Sequence, residues 1–390
     1  MKNVKLLFVI QMCSSFIPAY VIERLFWEMR GMTVSMVVYT EILYAVTIIV
    51  MEIPTGVLAD KWGRKPMLVV AAGLGCLEFT ILLYATEFWH FASAVFFAAI
   101  ATAASSGAVH ALLYESLSKE QQEKNFDRSV GYLQAVEGVT FIVVALLGSW
   151  SAERFGYEWN YAVSLLAMCV AFVFTCLLTE PEQKTGGDEE PLYIWEGIQA
   201  LWKQPEQYVV LLSGIILGAS IVFIDEFWQL YVRDGGLSVG WFGIVMSVLF
   251  LLRIPGQVTA HLLVQRYAAE SILLWVLAIF SLGFLYVSVA PGLMGLAAIF
   301  IICLCDGLVY PIVVSRLHRS IDTKARATAE SLWSWCENLV MVLIGFCFSY
   351  AATMNGLTGG FAFIGAVCGL SFVICMMMVY KKRSSRVSDS

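Results

Sequence analysis

Long apolar segments, separated by short polar ones, run along nearly the whole chain. Twelve of these segments are about 20 residues or longer, the length that an α-helix needs to cross ~30 Å of hydrocarbon. Strands of a membrane β-barrel would be about ten residues long and would alternate apolar with polar positions, which these segments do not. We therefore predict an all-α membrane protein with twelve transmembrane helices. The predicted spans are residues 5–26, 33–58, 67–86, 88–116, 129–151, 159–179, 207–231, 237–262, 270–290, 293–316, 328–352 and 357–380.

The longest polar interval lies near the middle of the chain, with six predicted spans on either side. It contains Pro, a Gly pair and an acidic run, which are typical of a connecting segment. The predicted domains are an N-terminal six-helix bundle at 1–180, a cytoplasmic central linker at 181–206, a C-terminal six-helix bundle at 207–380 and a cytoplasmic tail at 381–390.

Short sequence motifs recur in the two halves of the chain at a constant offset of 201 residues. Repeat-built transporters show such internal similarity, so the offset predicts a duplication. It aligns Arg24 with Asp225, which carry opposite charges. The recurring motifs are Phe26-Trp27 with Phe227-Trp228 and Ile53-Pro54 with Ile254-Pro255.

The composition and the placement of charges agree with a membrane location. The chain is 59% hydrophobic with a mean hydropathy of +0.78, more apolar surface than one soluble core could cover. Nineteen of the 24 Lys and Arg residues fall in cytoplasmic segments when the N-terminus is taken as cytoplasmic. The positive-inside rule therefore predicts a multi-pass protein of the cell membrane with both termini in the cytoplasm.

The sequence contains no motif that is typical of an enzyme's catalytic or metal site. It has neither a Walker phosphate loop nor a His-x-x-x-His zinc pattern, and only four His. Most of the ten Cys fall within spans, where thiols act as small apolar residues. We predict no enzyme activity, no cofactor, no metal site and no nucleic-acid partner. Energy for any transport would come from an ion gradient or from the gradient of the substrate.

The segment "GVLADKWGRKP", residues 56–66, places four charges between two apolar spans. It resembles motif A of the major facilitator superfamily, and the twelve-span layout extends the resemblance across nearly the whole chain. The words "EIPTG" and "GAVHALLYESL" resemble a bacterial branch of drug or metabolite exporters. The resemblance implies two six-helix bundles, and a loop that holds them together on the inner side while the outer side is open. The matching residues are Gly56, Asp60, Lys61, Gly63, Arg64 and Lys65.

The physical properties of the segment suit a latch. Asp60 can cap a neighbouring helix N-terminus, where a carboxylate gains ~0.3–1 kcal/mol from the helix dipole. Glycines permit a tight turn and close helix approach. The alternative is that the cations only enforce topology, which would require neither Asp60 nor the glycines. The fourth span lacks the arginine that many proton-coupled relatives carry there, and the fifth span lacks the Gly-Pro-x-x-Gly-Gly pattern of antiporters. Both absences weigh against proton antiport.

Several ionisable residues lie within the predicted spans. Such a residue at the centre of a span costs ~2.5–3.5 kcal/mol and therefore indicates a function, the alternative being a buried ion pair. We predict that Glu137 or Glu337 carries a coupling proton. Near the outer ends, Arg24 is expected to meet Asp225 or Glu226 as an outer gate. The candidates for proton coupling or substrate binding are Glu137, Glu337, Asp306, Glu78, Glu41 and Arg253.

These observations predict a secondary active transporter that works by alternating access. The leading prediction is proton-coupled efflux of small amphiphilic compounds, with protons, the small-molecule substrate and the lipid bilayer as partners, by a monomer. One alternative is proton-coupled uptake, or facilitated passage, of a specific metabolite. Another is a transporter-like receptor or a lipid-handling protein.

Overall fold

The computed structural model of the chain describes residues 2–119, 121–180, 207–290, 292–320 and 326–388. The predicted linker at 181–206 lies outside the described residues. Within the described ranges the chain is helical and contains no strand, so the prediction of an all-α protein is confirmed. The helices are α1 Lys2–Ser14, α2 Glu23–Met29, α3 Val34–Trp62, α4 Arg64–Tyr84, α5 Phe88–Ser105, α6 Ala108–Lys119, α7 Phe126–Phe155, α8 Tyr157–Cys176, α9 Tyr208–Asp234, α10 Phe242–Arg266, α11 Ala269–Val289, α12 Leu293–Asp306, α13 Val309–Ser320, α14 at 326–354 and α15 at 357–388.

Eleven helical segments of the described chain are long and apolar enough to cross a membrane. The last of them, Leu332–Lys381, has 50 residues and would be about 75 Å long as one helix, more than twice the thickness of the hydrocarbon. It is interrupted at Asn355 and Gly356, where φ of Gly356 is +71°. The two parts, α14 and α15, bring the number of crossings to the predicted twelve.

The chain divides into two compact units. One comprises residues 1–186 with 238–247, and the other 187–237 with 248–390. In the second unit, the ring of Phe227 stacks on that of Phe348 with centroids 5.4 Å apart, and Phe361 lies edge-on to Phe348. The predicted boundaries of the bundles and of the tail at 381–390 stay predictions.

Three predicted spans are not continuous helices, which corrects the prediction for 5–26, 88–116 and 293–316. The first helix ends at Ser14, and a 3₁₀ turn, Pro18–Val21, precedes α2. Ile17, at φ −118° and ψ 83°, lies outside the α region, which is disfavoured for a residue before proline. The second break follows α5, where Gly107 has φ +70°. The third follows α12, where a Cβ on Gly307 would overlap the backbone carbonyl of Arg253.

The second and third breaks support the predicted duplication, because they lie at the same offset as the repeated motifs. In the first unit, Thr55 of α3 donates a hydrogen bond to the carbonyl of Ala103, 3.1 Å away, just before the break. In the second unit, the equivalent Gly256 of α10 lies against Gly307 at the break, where a Cβ would be 2.8 Å from the Gly307 carbonyl carbon. Each unit therefore packs a proline-containing helix against an interrupted one.

The first break is held by Asn160 of α8, whose side chain is fully buried. Its amide donates to the carbonyls of Pro18 at 3.1 Å and Gly148 at 2.8 Å, and its oxygen accepts from Ser151 at 2.7 Å. Interrupted backbone in a membrane requires such partners, because no water is present to supply them. This amide therefore fixes the path of the chain between α1 and α2.

Replacing Asn160 with alanine is expected to lower the free energy of unfolding by about 2 kcal/mol, because the carbonyls of Pro18 and Gly148 lose a buried donor. Thermal unfolding of the purified protein in detergent measures the change. Asn338→Ala is the matched control, since the Asn338 amide makes one bond within its own helix, to the carbonyl of Ser334. Equal melting temperatures for the two variants would contradict this role of Asn160.

Candidate functional site

The motif segment forms the turn between α3 and α4. Gly63 joins the two helices with φ +102°, a conformation that side chains disfavour, and its N–H donates to the carbonyl of Ala59 at 3.1 Å. The helix α4 then begins directly at Arg64. Lys61 is exposed, and Arg64 Nε lies 3.7 Å from Glu115 Oε1 of α6.

A carboxylate from the end of the first half caps this turn. The two oxygens of Glu180, four residues after α8, accept hydrogen bonds from the backbone N–H groups of Arg64 and Lys65, each at 2.7 Å. The first turn of a helix has N–H groups without intrahelical partners, and its dipole favours negative charge. A Cβ on Gly63 would lie 2.5 Å from Glu180 Oε1, so this glycine is required twice, for its φ and for the carboxylate.

Sequence reasoning missed Glu180, and assigned the capping role in this loop to Asp60. The side chain of Asp60 lies outside the described residues, so its role as a latch stays a prediction. Gly63 forms the tight turn, whereas a Cβ on Gly56 would meet no described residue within 4 Å; the part that Gly56 plays in the latch stays a prediction. The signal for Glu180 in the sequence is only an acidic residue at the end of the sixth predicted span.

The first unit contains a buried charged cluster around Arg24, which we call the first acidic cluster: Glu23, Arg24, Glu41 and Glu78. Arg24 is 4% exposed; its guanidinium lies 2.8 Å from Glu41 Oε1, 3.7 Å from Glu23 Oε1 and 4.4 Å from the centre of the Trp27 ring. Glu78 of α4 interacts electrostatically with Glu23. Arg24 and Glu41 are thus brought together as a buried ion pair.

The second unit contains a charged cluster around Arg253, which we call the second acidic cluster: Asp225, Arg253, Asp306 and Glu337. Arg253 Nη2 lies 2.6 Å from Asp225 Oδ1, and its Nε lies 3.1 Å from Asp306 Oδ2. Asp306 is the last residue of α12, at the third helix break, and the Arg253 carbonyl lies against Gly307. The break therefore brings the acid and its cation together.

Glu337 completes the second acidic cluster from α14. Its carboxylate lies against Gly218 of α9, where a Cβ would overlap it. Its charge interacts with that of Asp306, yet no residue in the described ranges gives it a hydrogen bond or an ion pair. The cluster contains three carboxyl groups and one guanidinium. A membrane site with such an excess of acid needs protons or a cationic ligand.

Two predicted site residues stand apart from these clusters. Glu137 lies on an exposed face of α7 and accepts a hydrogen bond from Gln11 Nε2 at 3.1 Å. Glu226 follows Asp225 on α9 and is half-buried. The predicted outer gate, in which Arg24 meets Asp225 or Glu226, joins the two units and stays a prediction. Within the first unit, Arg24 forms an ion pair with Glu41, and within the second unit, Asp225 forms an ion pair with Arg253.

In the part of the chain that the structure describes, the twelve apolar crossings, the interrupted helices and the buried charge clusters are those of a multi-pass membrane transporter. Residues 6–315 match the sequence model of the Major Facilitator Superfamily. The chain therefore belongs to that family, as its motif A segment predicted.

Named relatives and solved structures agree with this assignment. The chain is 22% identical over 349 residues to the tetracycline resistance protein, class G, of Vibrio anguillarum, covering 86% of this chain and 84% of that protein. It is 20% identical over 333 residues to the class H protein of Pasteurella multocida, covering 79% and 78%. The crystal structure of the nucleoside transporter NupG matches with a TM-score of 0.79 at 14% identity, covering 97% of this chain and 98% of that one. At that identity the structural likeness shows the fold alone.

Proposed function

We propose that this chain exports small amphiphilic compounds across the bacterial inner membrane in exchange for protons, by alternating access. The second acidic cluster is the observation that carries the proposal, because Arg253 balances only one of its three carboxyl groups. A proton and a cationic substrate are both able to neutralise the excess. Competition between them for the same carboxyl groups is the physical basis of exchange.

Glu337 is the carboxyl group best placed for this competition. Asp225 and Asp306 are held by Arg253, whereas Glu337 has no partner among the residues that the structure describes. A proton arriving from outside would neutralise Glu337 and release a bound cation, and loss of that proton inside would restore the site. The motifs that the fourth and fifth spans lack are not needed for this cycle, because the protonatable group lies on α14.

The relatives favour export over uptake. Both are resistance proteins for tetracycline, a small amphiphilic compound, and both are similar to this chain over more than three quarters of its length. We further propose that the termini and the motif segment face the cytoplasm, that the protein acts as a monomer, and that Asp60 is the latch of the motif. The clustering of basic residues in the predicted inner segments supports that orientation.

Everted membrane vesicles test the proposal. Vesicles that contain the protein, energised by respiration, should accumulate tetracycline or ethidium, and a protonophore should abolish the accumulation. Vesicles without the protein are the control. Gradient-driven accumulation in right-side-out vesicles instead would support the uptake alternative. Accumulation in neither orientation, by a protein that is folded and inserted, would contradict transport of these compounds and favour a receptor or lipid-handling role.

A further inference from the structure

The indole N–H of Trp333, one helical turn from Glu337, has no acceptor among the residues that the structure describes. The side chain of Trp333 on α14 is 8% exposed, and its Nε1 forms no hydrogen bond with any residue of the described ranges. Buried polar groups in proteins are almost always paired, and leaving one unpaired costs as much as a lost hydrogen bond. Among the described residues, a donor and a carboxylate without partners thus lie one helical turn apart on α14, and one ligand could serve both.

The positions of the two side chains define one surface. Trp333 and Glu337 are four residues apart on a helix, so they share a face with their Cβ atoms ~6 Å apart. The ring of Tyr310 on α13 lies 5.9 Å from the ring of Trp333, tilted by 45°. Gly218 of α9 leaves the space that the Glu337 carboxylate fills. Three helices thus contribute an aromatic wall, a hydrogen-bond donor and a negative charge.

We propose that Trp333 and Glu337 bind organic cations that carry a hydrogen-bond acceptor about one helical turn from the charge. The carboxylate attracts the cation, and the indole, which only donates, selects a carbonyl or ether oxygen. The rings of Trp333 and Tyr310 add attraction for flat aromatic groups and for positive charge. This inference rests on the proposed function and specifies the substrate class for the same cluster.

The proposal separates two features of a ligand, its charge and its acceptor. Glu337 acts on every cation, because attraction by a carboxylate needs no hydrogen bond. Trp333 discriminates between cations that have an acceptor and those that lack one. Rhodamine 6G, a flat aromatic cation with an ester carbonyl, has both features. Tetraphenylphosphonium has a positive charge and aromatic rings but no acceptor.

Binding of these two probes to the purified full-length protein in detergent tests the proposal. Trp333→Phe removes the N–H and keeps an aromatic ring; it should weaken rhodamine 6G binding about tenfold and change tetraphenylphosphonium binding less than twofold. Glu337→Gln should weaken both about tenfold or more. Trp275→Phe, at an exposed position of α11, is the control and should change neither.

Three results would overturn the proposal: equal losses for the two probes in Trp333→Phe, no loss for either, or no binding of either probe to the unmodified protein. Melting temperatures of the variants show whether a loss comes from unfolding. Because binding needs no gradient, the outcome is independent of the proposed efflux. Intact, discriminating binding without gradient-driven transport would contradict the proposed function and leave this inference standing.

Discussion

Arg253→Met is expected to abolish gradient-driven transport and to lower the free energy of unfolding by about 3 kcal/mol. The variant keeps the length of the side chain but removes the cation that lies 2.6 Å from Asp225 and 3.1 Å from Asp306. Removing one partner of a buried pair typically costs ~3–5 kcal/mol, because the other charge is left uncompensated. The lower end applies because Asp225 is 43% exposed.

Thermal unfolding and vesicle transport measure the two effects separately. Combining Arg253→Met with Asp225→Asn and Asp306→Asn should recover most of the stability, since no unpaired charge remains on those three residues, but should not recover transport. Arg233→Met is the matched control, because Arg233 pairs with the exposed Asp234 at the end of α9 and such surface pairs contribute little. Unimpaired transport by Arg253→Met would show that this arginine only fills space.

Glu180→Ala is expected to reduce transport at least tenfold and to lower the free energy of unfolding by about 2 kcal/mol. Its carboxylate accepts from the N–H groups of both Arg64 and Lys65, and loss of a helix cap costs ~0.5–2 kcal/mol. Without the cap, the motif loop and the start of α4 lose their fixed position relative to the segment that follows α8. Glu180→Gln should have an intermediate effect, because one amide oxygen replaces two charged acceptors.

Gly63→Ala should have a comparable effect through two causes, its φ of +102° and the overlap of a Cβ with Glu180. Since one cause depends on Glu180, the double variant Gly63→Ala/Glu180→Ala should lose less stability than the sum of the single variants. Gly56→Ala is the matched control for stability within the same motif and should leave the free energy of unfolding unchanged, since a Cβ there meets nothing within 4 Å. Strict additivity would mean that Gly63 and Glu180 do not act on each other.

The number and approximate position of the crossing helices could be predicted from the sequence, because the thickness of the bilayer dictates the length of each apolar segment. The breaks could not. The length of an apolar segment does not reveal that the helix is interrupted near Pro18. Nor does it reveal that Asn160, 142 residues further along the chain, donates the hydrogen bond to the Pro18 carbonyl at that break. Such a partner is visible only once α8 is packed against the break.

The buried charges could be predicted as functional candidates, but their partners could not. The cost of an ion in hydrocarbon marks Arg24, Glu41, Arg253 and Asp306 in the sequence. Which acid meets which cation depends on helix packing: Arg24 reaches Glu41 of α3. Nothing in the sequence indicates that Glu137, on an exposed face of α7, accepts a hydrogen bond from Gln11, and its role in proton coupling stays a prediction.

Glu337 carries the exchange of protons for substrate in the mechanism that we propose. This role is tested most directly by reconstituting Glu337→Gln into liposomes and measuring two rates of ethidium movement, accumulation driven by a pH gradient and downhill exchange without one. We expect accumulation to be lost because a neutral amide cannot take up or release the proton, whereas downhill exchange should remain at ethidium concentrations high enough to offset the weaker binding of the cation. Glu158→Gln, at an exposed ion pair with Arg30, should retain both rates. Full pH-driven accumulation by Glu337→Gln would contradict the role of Glu337 in proton exchange.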